Sequence, residues 1–284
     1  MENDLALAKL DELEALLGSI GDIGDVGEIG KIGVALSGGV DSLTLAAVSH
    51  AVLGSRATMY HAQSPAVPFD ATARVQAMAA ARGWRLEVFD AGEFGRAEYL
   101  ANPVDRCFYC KTSLYGSIRA RTAAQLVSGT NLDDLGEYRP GLRAASEHAV
   151  RHPYVEVGAS KAMVRAMARV LGLGSVAELP AAPCLASRIE TGIGIDAATL
   201  ALVHASERLI GAAVAARTVR CRVRAAGVVL ELDAAALDAI EPQRRAELAA
   251  EVSGIFAGAG LARAVSFAPY RNGSAFVVRG DERS

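Results

Sequence analysis

Apolar positions recur at helical spacing over residues 4–17, where Leu5, Leu7, Leu10, Leu13, Leu16 and Leu17 form a stripe. The stretch "IGDIGDVGEIGKIG" then repeats an aliphatic residue, a glycine and a mostly acidic residue. Each glycine weakens a helix by about 1 kcal/mol, so an irregular connection is expected there. From residue 31 the pattern alternates. "KIGVALS" (31–37) reads as a buried strand, "VDSLTLAAVSHAVLG" (40–54) as a helix and "ATMYHAQS" as a second strand. A second helix, "DATARVQAMAAARGW", ends at Gly83, the strand "RLEVFDAG" follows, and "KTSLYGSIRARTAAQL" is expected to be helical before "LVSGTNLDDLGEY" supplies a strand and a polar loop. Strands alternating with helices imply right-handed crossovers and an α/β fold with a doubly wound parallel sheet, whose sites lie beyond the carboxyl ends of the strands.

Past residue 190 the rhythm changes. A helix at 196–210 precedes "TVRCRVRAAGVVLELD", a hairpin turning near Gly227. Two helical runs over 234–258 and a last strand, "ARAVSFAP", complete a smaller α+β domain. The expected organisation is therefore a first domain over 1–190 and a second over 191–284.

Charge and cysteine content narrow the function. A net charge of −3 over 284 residues argues against a surface built to hold long nucleic acid. No run of roughly 18 apolar residues is present and the N-terminus lacks a basic leader, so a cytoplasmic protein without a membrane span is expected. Cys107, Cys110, Cys184 and Cys221 are too few and too unevenly spaced for a secreted disulfide framework. Lysine occurs only at 9, 31, 111 and 161.

"SGGVDS" (37–42) joins a strand to a helix, where glycine lets the backbone approach a phosphate and the first helical N–H groups face the anion. Ser37, Gly38, Gly39 and Ser42 are the expected phosphate cradle. Asp41 makes sense there only beside a metal or a cationic partner. The loop lacks the lysine of a Walker A motif and the spacing of a dinucleotide fingerprint. It resembles the pyrophosphate loop of ATP pyrophosphatases, which adenylate an acceptor and release pyrophosphate. That resemblance extends to "SGTNLDD", implying nucleotide contacts from Gly129 and Asn131 and Mg²⁺ ligation by Asp41 with Asp133 or Asp134.

"SGGVDS", "NPVDRCFYCKTSLY", "SGTNLDD", "RPGLRAASEHAV", "VEVGASKAMVRAMARVLGL", "PCLASRI", "CRVRAAG" and "YRNGS" follow one another in an order that resembles the LarE family. These are ATP-dependent sacrificial sulfur transferases of nickel-pincer nucleotide biosynthesis. The resemblance implies an adenine nucleotide alpha hydrolase-like pyrophosphate-loop domain, a homo-oligomer and a pyridinium-3,5-biscarboxylic acid mononucleotide as acceptor. It implies Cys184 as sulfur donor, with Glu207, Arg222 and Arg224 serving the active site. Arg188, four residues beyond Cys184, is expected to favour the thiolate where the two side chains meet. Arg222 and Arg224 alternate along a strand and so share one face, suited to phosphate or carboxylate, while Cys221 faces the core. The sequence departs from the family in reading "RAAG", without a histidine before the glycine, and "IETGIGI" after the cysteine motif. A second reading stands beside this one. Cys107, Cys110 and Cys184 could together hold a four-iron four-sulfur cluster, sparing Cys184. A tRNA thiolase and an amide-forming ATP pyrophosphatase are the remaining alternatives.

Overall fold

Four short strands, each followed by a helical segment, make up the first part of the chain in a computed structural model that describes residues 2–22, 30–136, 139–181 and 183–277. In chain order the elements are α1 (Glu2–Asp22), β1 (Ile32–Ala35), α2 (Val40–Leu53), β2 (Ala57–Ala62), α3 (Phe69–Arg82), β3 (Arg85–Phe89), α4 (Ala97–Leu100), α5 (Arg106–Arg119) and β4 (Gln125–Ser128). They continue with α6 (Gly141–Glu147), α7 (Pro153–Glu156), α8 (Lys161–Val170), α9 (Ala197–Ala213), β5 (Val219–Arg224), β6 (Gly227–Leu232), α10 (Ala234–Asp238), α11 (Pro242–Gly258) and β7 (Val265–Pro269). One compact unit comprises 1–95 with 107–182, and a second comprises 96–106 with 183–284.

The first unit is α/β. Its sheet has the order β3-β2-β1-β4 and every pairing is parallel. Alternate residues feed two cores, one on each face, as the period of two requires. Ile32, Val34, Met59 and Val127 pack with residues of α1, α2, α3 and α8. Ala35, Tyr60 and Leu126 pack with Tyr115 and Ile118 of α5 and Ala144 and Ala145 of α6. The direction of winding reverses between β1 and β4, which places the loops after these two strands side by side at the carboxyl end of the sheet.

Two expectations need adjustment in this unit. The buried stripe of α1 is Ala6, Leu10, Leu13, Leu17 and Ile20, whereas Leu5 and Leu7 are 55% and 47% exposed. The 6-10-13-17-20 spacing is the one that keeps to a single helical face. The helix expected to begin at Lys111 starts at Arg106, and Gln125–Ser128, assigned in part to that helix, pairs as β4. The glycine-rich repeat falls largely on 23–29, and the last two residues of "LVSGTNLDDLGEY" on 137–138; both lie outside the described residues.

The second unit holds a mixed three-stranded sheet of order β5-β6-β7, with β5 and β6 antiparallel and β7 parallel to β6. Its start is Pro183, not residue 191, and it takes in 96–106 as well. Hydrogen bonds explain both shifts. Asn102 Nδ2 donates to the carbonyls of Glu190 and Ile193, both at 2.9 Å, and Ile195 N–H donates to Leu100 O at 2.8 Å. The β5–β6 turn closes at Gly227, whose φ is +141°. A Cβ at this position would lie 2.6 Å from the carbonyl oxygen of Ala264.

Two glycine-to-alanine substitutions in this unit should therefore have opposite signs. Gly227→Ala combines a disfavoured φ with a backbone collision and should destabilise by about 2–4 kcal/mol. Gly254 lies within α11 with open space around it. There alanine should stabilise by about 0.4–1 kcal/mol. Chemical denaturation of the two variants measures both signs.

Candidate functional site

The loop after β1 is held open by its own side chains. Gly38 has φ +82°, and a Cβ on it would approach Ala71 O to 3.0 Å and Val75 Cγ2 to 3.2 Å. Arg74 of α3 donates to Gly38 O at 2.8 Å. The Ser37 and Ser42 hydroxyls are 3.1 Å apart, Ser37 N–H donates to Ser42 Oγ at 3.1 Å, and Ser42 Oγ donates to Gly39 O. Gly39 is the N-cap of α2 and contributes no side chain, leaving the helix start bare of a side-chain cap. Beneath the loop, His61 bridges Leu36 O (2.8 Å) and the Thr72 hydroxyl (2.9 Å). Burial holds His61 below the usual histidine range and so neutral, a tie between β2, α3 and the loop.

The loop after β4 closes on this turn. A Cβ on Gly129 would sit 2.9 Å from both Asp41 C and Ser42 N, so only glycine permits the approach. Asn131, buried, donates to Asp41 Oδ1 at 3.3 Å. Lys161, the first residue of α8, forms an ion pair with Asp41 Oδ2. The Tyr154 hydroxyl donates to Asp41 O at 3.0 Å; burial, with Asp41 nearby, pushes its pKa well above the usual range and keeps it a donor. The cationic partner that Asp41 requires is thus Lys161. Sequence reasoning had not singled it out, although it is one of only four lysines and lies in a quoted motif.

Asp133 and Asp134 shape the same loop. Asp133 Oδ2 accepts from Lys161 N–H at 2.7 Å. Asp134 accepts from Asn131 N–H at 3.1 Å and pairs with Arg139 at 2.8 Å. Among the described residues no three His, Cys, Asp or Glu side chains gather as a metal site. Asp41 and Asp134 have both oxygens engaged and Asp133 has one, so these three carboxylates as placed do not fit a resident metal. A cleft of about 600 Å³ opens at the carboxyl ends of β2 and β3, lined by Gln63, Ser64, Pro65, Val88, Phe89 and Asp90.

The second unit presents Cys184. It is the N-cap of a one-turn 3₁₀ helix, Leu185–Arg188, and is half-buried. Arg188 is buried beneath the turn and aims at main chain as well as at a carboxylate. Its Nε and Nη2 donate to the two oxygens of Glu207 at 2.8 and 3.0 Å, and its Nη1 donates to Pro183 O at 2.6 Å and Cys184 O at 3.1 Å. Glu207, on α9, also accepts from Cys221 N–H at 2.9 Å. The pair therefore anchors the cysteine turn to α9 and β5. Arg188 serves by gripping the backbone on either side of the thiol-bearing residue, with its charge balanced by Glu207. Cys221 is fully buried, and burial followed by the Glu207 charge pushes its thiol far up, so it remains a protonated core residue.

Arg222 and Arg224 do share one face, and there they meet a carboxylate. Arg222 Nε donates to Glu231 Oε2 at 3.0 Å and Arg224 Nη2 to Oε1 at 2.9 Å. Arg222 is buried and also donates to Ser187 O and Arg271 O; Arg224, less buried, donates to Ser274 O. Burial alone would raise the Glu231 pKa. Hydrogen bonds from Ser274, Arg222 and Arg224 outweigh it and hold the carboxyl below its ordinary value. Glu231 and Ser187 were missed from sequence because their partners lie on other elements.

Cys107 and Cys110 lie in the first turns of α5, in the first unit, three residues apart on one helical face. All four cysteines are free of disulfides. Cys184 belongs to the second unit. No helix among them is long and apolar enough to cross a membrane.

No protein-family model matches the chain. An uncharacterized protein of Synechocystis is 37% identical over 178 residues, covering 61% of this chain and 66% of that protein. The pyridinium-3,5-bisthiocarboxylic acid mononucleotide synthase of Lactiplantibacillus plantarum is 28% identical over 182 residues, covering 62% of this chain and 66% of the synthase. An uncharacterized protein of Methanocaldococcus jannaschii is 30% identical over 95 residues, covering 32% of this chain and 36% of that protein. The matches thus span just under two thirds of the length of the first two relatives.

Removing one member of a buried ion pair strands the other. Arg188→Met should destabilise the protein by about 3–5 kcal/mol, and adding Glu207→Gln should recover part of that loss. Urea denaturation of the single and double variants checks the coupling. For Glu231 the folded pKa lies below an unfolded value near 4.5, so its stabilisation is present above that pH and is lost as pH falls through the folded value. Glu231→Gln should then be clearly less stable than wild type at about pH 7, with the difference shrinking as pH falls through the folded value.

Proposed function

We propose that the chain is an ATP-dependent sulfur transferase that converts a carboxylate of a pyridinium biscarboxylic acid mononucleotide to a thiocarboxylate, using the sulfur of Cys184. The observation that carries this reading is the cysteine turn. A half-exposed cysteine outside any disulfide stands on a backbone turn clamped by Arg188 and Glu207, while the other cysteine of its unit is sealed in the core. The Lactiplantibacillus relative, named as the bisthiocarboxylic acid mononucleotide synthase, supports the same class of acceptor.

The first unit supplies the activation step. ATP, as its magnesium complex, would lay its phosphates against the bare start of α2, with the Ser37 and Ser42 hydroxyls as donors and the nucleoside reaching toward the Gln63–Asp90 cleft. Lys161, held at the loop by Asp41, is the proposed cationic donor to a phosphate oxygen. An acceptor carboxylate oxygen attacks the α-phosphorus and pyrophosphate departs, leaving an acyl-adenylate.

The second unit supplies the sulfur. The Cys184 thiolate attacks the acyl carbon and expels AMP, forming a thioester. A base then takes the Cα proton of residue 184. That electron pair forms the Cα–Cβ double bond, and the Cβ–S bonding pair leaves with sulfur. The substrate carries away a thiocarboxylate and residue 184 becomes dehydroalanine. Arg224, the less buried of the two hairpin arginines, is the proposed contact for an anionic group of the acceptor, with Arg222 holding Glu231 in place behind it. Assembly as a homo-oligomer in the cytoplasm belongs to the same proposal.

Intact mass after incubation with ATP and acceptor should show loss of one H₂S per chain, mapped to residue 184. An unchanged mass alongside thiocarboxylate product would overturn the sacrificial step and favour a sulfur carrier such as a cluster on the cysteines. Cys184→Ser should still release pyrophosphate but transfer no sulfur. Lys161→Met should lower pyrophosphate release at least tenfold, since it leaves Asp41 unneutralised beside the phosphates; release at the wild-type rate would remove Lys161 from the site.

A further inference from the structure

Arg106 opens α5 and is 1% exposed, one of the largest side chains so fully buried. Among the described residues, none of its three guanidinium nitrogens has a hydrogen-bond partner. The other two buried arginines are treated differently, since Arg188 and Arg222 each hold a carboxylate and main-chain carbonyls. A guanidinium carries five N–H donors in a planar fork, and burying them without partners is costly. The positive end of a 14-residue helix adds to the same potential.

What covers Arg106 is an aromatic ring. The Phe276 ring centroid is 4.1 Å from its Cζ, and Phe276 is itself 39% exposed. The ring thus separates a buried cation from water, and it rides on a turn closed by Phe276 N–H donating to Gly273 O. Ser274, two residues earlier, accepts from Arg224 through its carbonyl and donates to Glu231 through its hydroxyl. Arg106 and Arg224 are therefore both linked to one short segment, 274–276.

We infer that Arg106 is a receptor for an oxyanion, a carboxylate or a phosphate monoester of the substrate, admitted when the Phe276 ring moves aside. The inference deepens the reading of the acceptor as an anionic nucleotide with more than one charged group and rests on it for the ligand's identity. Arg106 would hold one such group while Arg224 meets another. A planar fork whose nitrogens have no hydrogen-bond partner among the described residues suits either anion bidentately.

Thermal unfolding in inorganic phosphate or pyridine-3,5-dicarboxylate, against chloride at matched ionic strength, tests this without ATP or sulfur transfer. Its failure is therefore distinct from failure of the proposed activity. At about ten times the dissociation constant, wild type should gain on the order of 3–5 °C with the preferred anion, and which probe acts separates phosphate from carboxylate. Arg106→Met should lose that gain, and in chloride should unfold at or above the wild-type midpoint because it removes an unpaired buried charge. Phe276→Ala should keep the gain and half-saturate at several-fold lower anion concentration. A gain in Arg106→Met equal to that of wild type, or none in wild type with either probe, would overturn the assignment.

Discussion

Asp41 is the point on which the first unit turns. Its carboxylate stands in the first turn of α2 and is paired with Lys161 from the start of α8. Three further groups converge on the same residue: Asn131 on its side chain, Tyr154 on its carbonyl, and Gly129 against its backbone. The loop after β1 is therefore shaped by segments that lie roughly 90 to 120 positions further along the chain. Because Val164 and Met167 of α8 share a core with Leu13 and Leu17 of α1, the packing that seats Lys161 also ties the N-terminal helix to the loop.

The second unit solves a different electrostatic problem. It buries arginine against glutamate twice, Arg188 with Glu207 and Arg222 with Glu231. Such pairs contribute little net stability after desolvation, but each leaves few alternative geometries for the groups it joins. The first pair fixes a turn, and the second fixes the register of a hairpin face on which Arg224 remains partly accessible.

Local chemistry was legible in the sequence and tertiary partnership was not. The alternation of strands and helices and the hairpin at Gly227 follow from short-range pattern, and the parallel and antiparallel pairings agree with them. Cys221 as a core residue also follows, since strand alternation sends it away from Arg222. The pairing of Arg188 with Glu207 joins residues on separate elements, so no spacing announces it. The incorporation of 96–106 into the second unit depends on the Asn102 amide reaching carbonyls almost ninety positions on. Lys161 sat in plain view, but its role emerges only once the sheet has brought α8 to the loop.

Under the proposed sacrificial route, the clamp on the cysteine turn has a consequence for the chain that has given up its sulfur. Arg188 holds the carbonyls of Pro183 and Cys184, not the sulfur-bearing atom, and Glu207 balances its charge independently of the thiol. The turn's shape thus owes nothing to the sulfur. Were residue 184 to become dehydroalanine, the carbonyls that Arg188 holds and its pairing with Glu207 would still be present. A used chain would then differ from a fresh one by one H₂S at a single residue, with the clamp around that residue still in place.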